Sequence, residues 1–150
     1  MITPEIRKEK ARQEWRELGF YYERDDSAKK WIFTADRKGL GMWTRLLREW
    51  AQEPLNAEPS ENHDHYGPYM YLELLTCAEP SINDHFIGGP IEDLMKFANM
   101  IDQKLASSKP SDVFEIGQDF APTSEFVIEF RVREDGFDPS EPDEMLWATA

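Results

Sequence analysis

Two apolar patterns set 54 residues apart constrain this 150-residue chain more than any other feature. In the first, Trp31-Ile32-Phe33 is followed by Leu40, Trp43, Leu46, Leu47 and Trp50, a spacing that keeps one face of a helix apolar. A shift of 54 places Trp31-Ile32-Phe33 on His85-Phe86-Ile87, Leu40 on Leu94, Trp43 on Phe97, Leu46 on Met100 and Leu47 on Ile101. An amphipathic helix must bury its stripe, and a strand beside it offers the face to bury it on. Each unit reads strand–strand–helix, and the last two strands read as a third unit without its helix. The expected fold is therefore α+β: one antiparallel sheet of about six strands, two amphipathic helices on one face, and an N-terminal surface helix.

The rest of the chain fits around these units. Thr3-Pro4 starts a helix with a cap and a proline at the first helical position, and Gly19 stops it after Leu18. Its apolar positions Ile6, Ala11, Trp15 and Leu18 are sparse. Phe20 to Glu23 and Lys30 to Thr34 flank the polar turn Asp25-Asp26-Ser27-Ala28 and read as a hairpin. Residues 54–68, PLNAEPSENHDHYGP, read as a loop without a regular element, because prolines and polar groups fill it. Tyr69 to Thr76 reads as a strand, Asp84 to Ile87 as a shorter one, and Gly88-Gly89-Pro90 as the turn into the second helix, which ends at 107–110. Val113 to Ile116 is a short strand. Glu125 to Arg133 alternates, with Phe126, Ile128, Phe130 and Val132 on a buried side and Glu129, Arg131 and Arg133 on a wet one. From Glu134 to the end no periodicity remains. A flexible acidic tail is expected there, with Met145, Leu146 and Trp147 available to dock.

Composition narrows the class. The length suits a single domain, and 40% hydrophobic with 13% aromatic residues suits a packed core rather than a disordered chain. Cys77 is the one cysteine, which excludes an internal disulfide and a multi-cysteine zinc site. No secretory signal and no membrane-length apolar run is present, so a reduced, soluble, cytoplasmic protein is expected. The net charge of −13 is uneven: 12 bases stand against 10 acids through Glu53, and 5 against 20 beyond it. Such a surface repels nucleic acid and attracts a basic protein partner.

Few residues carry the signature of chemistry. His63-Asp64-His65-Tyr66 with Glu73 is the one cluster resembling a site, since two histidines and a carboxylate suit a divalent metal. A His-x-His pair without a third ligand at a family spacing also reads as a solvated loop. Cys77 has His85 near it in sequence, but Glu79 and Asp84 disfavour a thiolate, so an inert thiol is expected. Gly88-Gly89-Pro90 lacks a phosphate-loop pattern, and Glu92-Asp93 already face the helix dipole. The aromatic residues Tyr66, Tyr69 and Tyr71 read either as core or as an exposed recognition strip; Tyr69 and Tyr71 share strand parity and would point to one face.

The segment Trp31-Ile32-Phe33-Thr34-Ala35-Asp36 running into Gly39-Leu40 and its helix resembles a unit of bacterial polymorphic-toxin immunity proteins, the immunity protein 32 type. The resemblance covers residues 30–52, with a fainter echo at 85–105. It implies a small toxin-neutralising protein without catalysis. The expectation is a non-enzymatic binding protein for a basic partner, with no catalytic set, no cofactor and no assigned metal. Its candidate surface is His63, His65, Tyr66, Tyr69, Tyr71 and Glu73. The alternatives are a small metal-dependent enzyme built on His63, His65 and Glu73, and a structural homodimer joined along a strand edge. Neither nucleic acid nor membrane is an expected partner.

Overall fold

The first helix, α1 (Pro4–Leu18), opens where Thr3 Oγ1 accepts from the Ile6 amide, and it closes at Gly19 in the left-handed region with φ 95°. Only Trp15 and Leu18 are buried on it, as a narrow apolar stripe requires. The chain then forms the hairpin β1 (Tyr21–Asp25) and β2 (Lys30–Ala35) and enters α2 (Arg37–Gln52). Asp36 caps α2: Oδ1 accepts from the Gly39 amide at 2.7 Å, and Oδ2 accepts from the Gly136 amide at 3.0 Å. The computed structural model describes residues 2–148, and among them no helix is long and apolar enough to cross a membrane.

A 3-10 turn at Pro54–Asn56 leads to β3 (His63–Tyr66), β4 (Leu72–Thr76), β5 (Ser81–Ile82) and β6 (Phe86–Gly89). The helix α3 (Ile91–Ala106) follows, then β7 (Val113–Ile116), β8 (Val127–Val132) and a 3-10 turn at Glu144–Leu146. α2 and α3 are both 16 residues long and begin at positions 37 and 91, the register of the sequence repeat.

The α+β class stands, but the single antiparallel sheet does not. The strands form two four-stranded mixed sheets, β1-β2-β8-β7 and β3-β4-β6-β5. Each sheet consists of two antiparallel pairs joined through a parallel central pair: β2 with β8 in one, β4 with β6 in the other. β7 and β8 are therefore not a truncated third unit. They complete the sheet begun by β1 and β2, as β3 and β4 complete the sheet of β5 and β6. Strand periodicity records which face is apolar and carries no information on which strand is the neighbour.

α2 packs along α3; α2 also lies against β2 and β8, and α3 against β6. Trp31, Phe33, Leu40, Trp43, Leu47, Leu74, Leu94, Phe97 and Phe130 are all fully buried in a core common to both sheets. A closed set of hydrogen bonds ties α2 to β4. Trp50 Nε1 donates to Thr76 Oγ1 at 2.9 Å, the Thr76 hydroxyl donates to the Asn56 carbonyl at 2.6 Å, and Asn56 Nδ2 donates to the Trp50 carbonyl at 3.0 Å. Asn56 is thereby buried and satisfied within a segment expected to be an irregular loop.

Two further expectations are corrected. On β8, Glu129 belongs to the residues expected to be wet, yet it is buried. Lys30 Nζ donates to Glu129 Oε1 at 2.8 Å and Arg131 Nε to Oε2 at 2.6 Å, which compensates its burial. Gly88 and Gly89 belong to β6 rather than to a turn. In the tail expected to be flexible, residues 138–148 make contacts with α1. Arg16 donates to both carboxylate oxygens of Asp138 at 3.2 and 3.1 Å, the Arg12 guanidinium lies 4.4 Å from the Trp147 ring centre, and Leu146 is buried. Residues 149 and 150 of that tail lie outside the described residues.

Candidate functional site

The proposed binding surface separates into three places. The dividing element is β3, which occupies part of the expected loop and pairs antiparallel with β4: His65 stands opposite Glu73, and Tyr66 opposite Leu72. Alternation along β3 sends Asp64 and Tyr66 toward α2 and His63 and His65 to the outer face of the sheet. The Tyr66 ring meets Trp43 edge-on at 6.2 Å, and its hydroxyl donates to Asp64 Oδ2 at 3.3 Å. Burial first, and the nearby Asp64 carboxylate second, push the Tyr66 phenol far above its usual value. Tyr66 is thus a packing residue at the edge of the core. Beside it lies a cavity of about 500 Å³ bordered by Leu46, Trp50 and Leu55 and by the carboxylates of Glu49, Glu53, Glu61 and Asp64.

On the outer face, His63, His65 and Glu73 converge. One ligand atom from each lies within 4.8 Å of the others. The two imidazole rings stand edge-to-face at 4.8 Å.

The third place is the aromatic strip. Tyr69 to Tyr71 precede β4 rather than belonging to it, so the strand parity expected for Tyr69 and Tyr71 does not exist. Gly67 and Met70, with φ 84° and φ 60°, kink the connection instead. At Gly67 the left-handed backbone leaves no room for a side chain, because an added Cβ would lie 2.8 Å from the Tyr22 ring. Tyr22 reaches across from β1: its hydroxyl donates to the Tyr66 carbonyl and accepts from the Tyr71 and Leu72 amides at 3.2 and 3.4 Å. Burial pushes the Tyr22 phenol up to about 12. One phenol thus holds the β3–β4 connection against the other sheet.

Tyr69 and Tyr71 still share a surface, with ring centres 6.2 Å apart. They border a groove of about 890 Å³ whose other walls include Trp15 of α1, Tyr21, Tyr22 and Glu23 of β1, Trp31 of β2, and Asp143, Glu144 and Met145 of the tail. Trp15 is buried beneath it, its ring centre 4.8 Å from Tyr21, 5.1 Å from Tyr22 and 6.1 Å from Tyr69. At its floor, Asp143 Oδ2 accepts from Trp15 Nε1 at 2.9 Å and from the Tyr69 hydroxyl at 2.6 Å. Asp143 is buried, and among the described residues no cation pairs with it. Arg24, the one cation bordering the groove, is engaged by Asp26 at 2.6 Å and by the Asp84 carbonyl. Burial raises the Tyr21 phenol to about 12, so it remains a neutral donor at physiological pH.

Sequence reasoning missed this groove. It places Trp15 on a surface stripe and β1 in a hairpin, but nothing local brings α1, β1 and residue 143 together. Alternation on β1 is the single available signal for Tyr22.

Cys77 is half-buried, and its thiol donates to the Glu79 carbonyl at 3.1 Å. Burial pushes that thiol above its usual value, which disfavours the reactive thiolate. His85 is exposed and lies 3.9 Å from Asp84. Comparison with protein-family models, with curated proteins and with solved structures finds no match to this chain.

Proposed function

We infer that this protein is a non-enzymatic binding protein whose partner presents a basic protein surface, in the manner of an immunity-type inhibitor. The observation that carries the reading is the groove around Trp15. Aromatic faces attract cations through their quadrupoles. A buried carboxylate without a countercharge favours a cation beside it. Here Trp15, Tyr21, Tyr69 and Tyr71 stand around Asp143, with Glu23 and Glu144 on the border. A lysine or arginine side chain meets both demands at once. The wider field has the same sign, since residues beyond Glu53 hold 20 acids and 5 bases. That field raises the encounter rate with a basic partner and weakens with salt.

The exposed rim suits recognition. Tyr71 is 64% exposed and Met145 73% exposed, while Trp15 beneath them is rigidly packed. Exposed aromatic and methionine side chains over a packed base are enriched at protein interfaces.

The test is titration of a fluorescent lysine- and arginine-rich peptide, with an acidic peptide of equal length as control. Expected are selective binding of the basic peptide, weakening with added salt, and a loss of at least about tenfold in Tyr71→Ala and Asp143→Asn. Equal binding of both peptides, or basic-peptide binding unaffected by the two variants, overturns the reading.

A second reading, a small metal-dependent enzyme, has one observation in its favour: the convergence of His63, His65 and Glu73.

A further inference from the structure

We propose that His63, His65 and Glu73 form a Zn²⁺ site on the outer face of the β3–β4 sheet, with three protein ligands and an open coordination position. This proposal is independent of the groove and of its basic partner.

The argument begins with the hydrogen bonds behind the rings. His63 Nδ1 lies 2.8 Å from the Glu61 carbonyl, and His65 Nδ1 lies 3.1 Å from the Met70 carbonyl. A carbonyl only accepts, so each ring carries a proton on Nδ1. Nε2 of a neutral ring is then a lone pair. Both Nε2 atoms face the same carboxylate oxygen: His63 Nε2 is 3.7 Å and His65 Nε2 3.6 Å from Glu73 Oε1. With both rings neutral, two lone pairs and an anionic oxygen converge with no donor among them, and a proton or a metal cation between them relieves that repulsion.

The backbone prepares this arrangement. His63 and His65 are two apart on β3, which puts both on one face. Glu73 stands directly opposite His65 on β4, where cross-strand side chains are closest. Met70 supplies its carbonyl from a left-handed backbone at φ 60°, a conformation rare for a residue with a side chain. A carbonyl that fixes the tautomer and orientation of a histidine is the usual outer support of a metal-bound imidazole.

Distances and donor types select the ion. Zn²⁺ takes nitrogen and carboxylate donors at about 2.0–2.1 Å, which sets neighbouring donors roughly 3.3 Å apart in a tetrahedron. The His–Glu73 separations of 3.6 and 3.7 Å need a few tenths of an ångström of closure, and the His63–His65 pair, within 4.8 Å, closes by up to roughly 1.5 Å through rotation of the side chains. Two imidazoles and a carboxylate suit zinc better than calcium or magnesium, which prefer all-oxygen shells. The three side chains keep 43%, 33% and 27% of their surface exposed, so the fourth position faces solvent.

The test uses the untagged full chain, stripped of metal with chelator and dialysed. Zinc is titrated by calorimetry, and Co²⁺ is added as a visible-absorbing substitute. Expected are one equivalent of zinc, a cobalt absorption band in the four- or five-coordinate range, and a thermal shift on zinc addition. His65→Ala and Glu73→Gln each weaken zinc binding at least roughly tenfold, while exposed His85→Ala leaves it unchanged. Circular dichroism of the variants separates lost ligands from lost fold. No zinc heat and no cobalt band at stoichiometric concentration, or a zinc affinity that survives in the well-folded His65→Ala and Glu73→Gln variants, overturns the proposal.

Discussion

The Tyr69 hydroxyl donates to Asp143 Oδ2 at 2.6 Å across 74 residues of sequence, and Trp15 Nε1 donates to the same oxygen at 2.9 Å. Through one carboxylate, α1, the β3–β4 connection and the tail become walls of a single groove. Removing the acceptor strands the buried indole N–H. Asp143→Ala is expected to destabilise the fold by about 1–3 kcal/mol, and Tyr69→Phe by only about 1 kcal/mol, because the half-exposed ring keeps its packing. Urea unfolding measures both. Hydrogen exchange confined to residues 138–148 in Asp143→Ala locates the loss; equal stability of the two variants would contradict the ordering.

Tyr71 separates recognition from folding. Its side chain is 64% exposed, so Tyr71→Ala is expected to change stability by no more than about 0.5 kcal/mol. The same change removes a groove wall, and basic-peptide affinity is expected to fall. A thermal melt and a binding titration on one sample give the comparison. A large drop in melting temperature would make Tyr71 a structural residue instead.

Gly67 is expected to tolerate no side chain. Gly67→Ala combines a left-handed φ of 84° with a Cβ 2.8 Å from the Tyr22 ring. The expected cost is about 1–3 kcal/mol. In Gly67→Ala/Tyr22→Phe the hydroxyl contact at 2.8 Å is removed but the ring-carbon contact at 2.8 Å and the left-handed φ remain, so the second substitution is expected to rescue the first only in part. Denaturation midpoints of the single and double variants decide this.

Glu129 ties stability to acid pH. Burial works against its charge, but hydrogen bonds from Lys30 and Arg131 outweigh that and hold its carboxyl below the usual glutamate value. A carboxyl lowered in the folded state contributes its full stabilisation above the unfolded value and loses it as pH falls through the folded one. The wild-type chain is therefore expected to lose stability below about pH 4.5. Glu129→Gln is expected to be destabilised at neutral pH and to lose less on acidification through this group. Unfolding free energies measured at neutral and acid pH check it; parallel pH profiles of the two proteins would contradict it.

Much of the local structure was legible. The stripe Leu40, Trp43, Leu47 and Trp50 is the buried face of α2, and Leu94, Phe97 and Ile101 that of α3, because helical spacing alone states which side must leave water. Thr3 and Gly19 cap α1 as their chemistry predicts. Strand pairing was not legible. β8 has the same alternation whether its neighbour runs parallel or antiparallel, and its partner β2 lies almost a hundred residues away.

For the sites, the sequence by itself determined which residue types were present and, through the two-residue spacing of His63 and His65, that both would share a face if their segment became a strand. That it does become one depends on pairing with β4, and Glu73 joins them through register. The groove depends wholly on tertiary structure. Trp15, Tyr22, Tyr69 and Asp143 lie on four separate segments, and only the packing of α1 and the tail against β1 brings an unpaired carboxylate beneath aromatic faces. Periodicity reports how a segment meets water; which segments then meet one another is decided by the shared core, where long-range burial outweighs the closure entropy of the intervening chain.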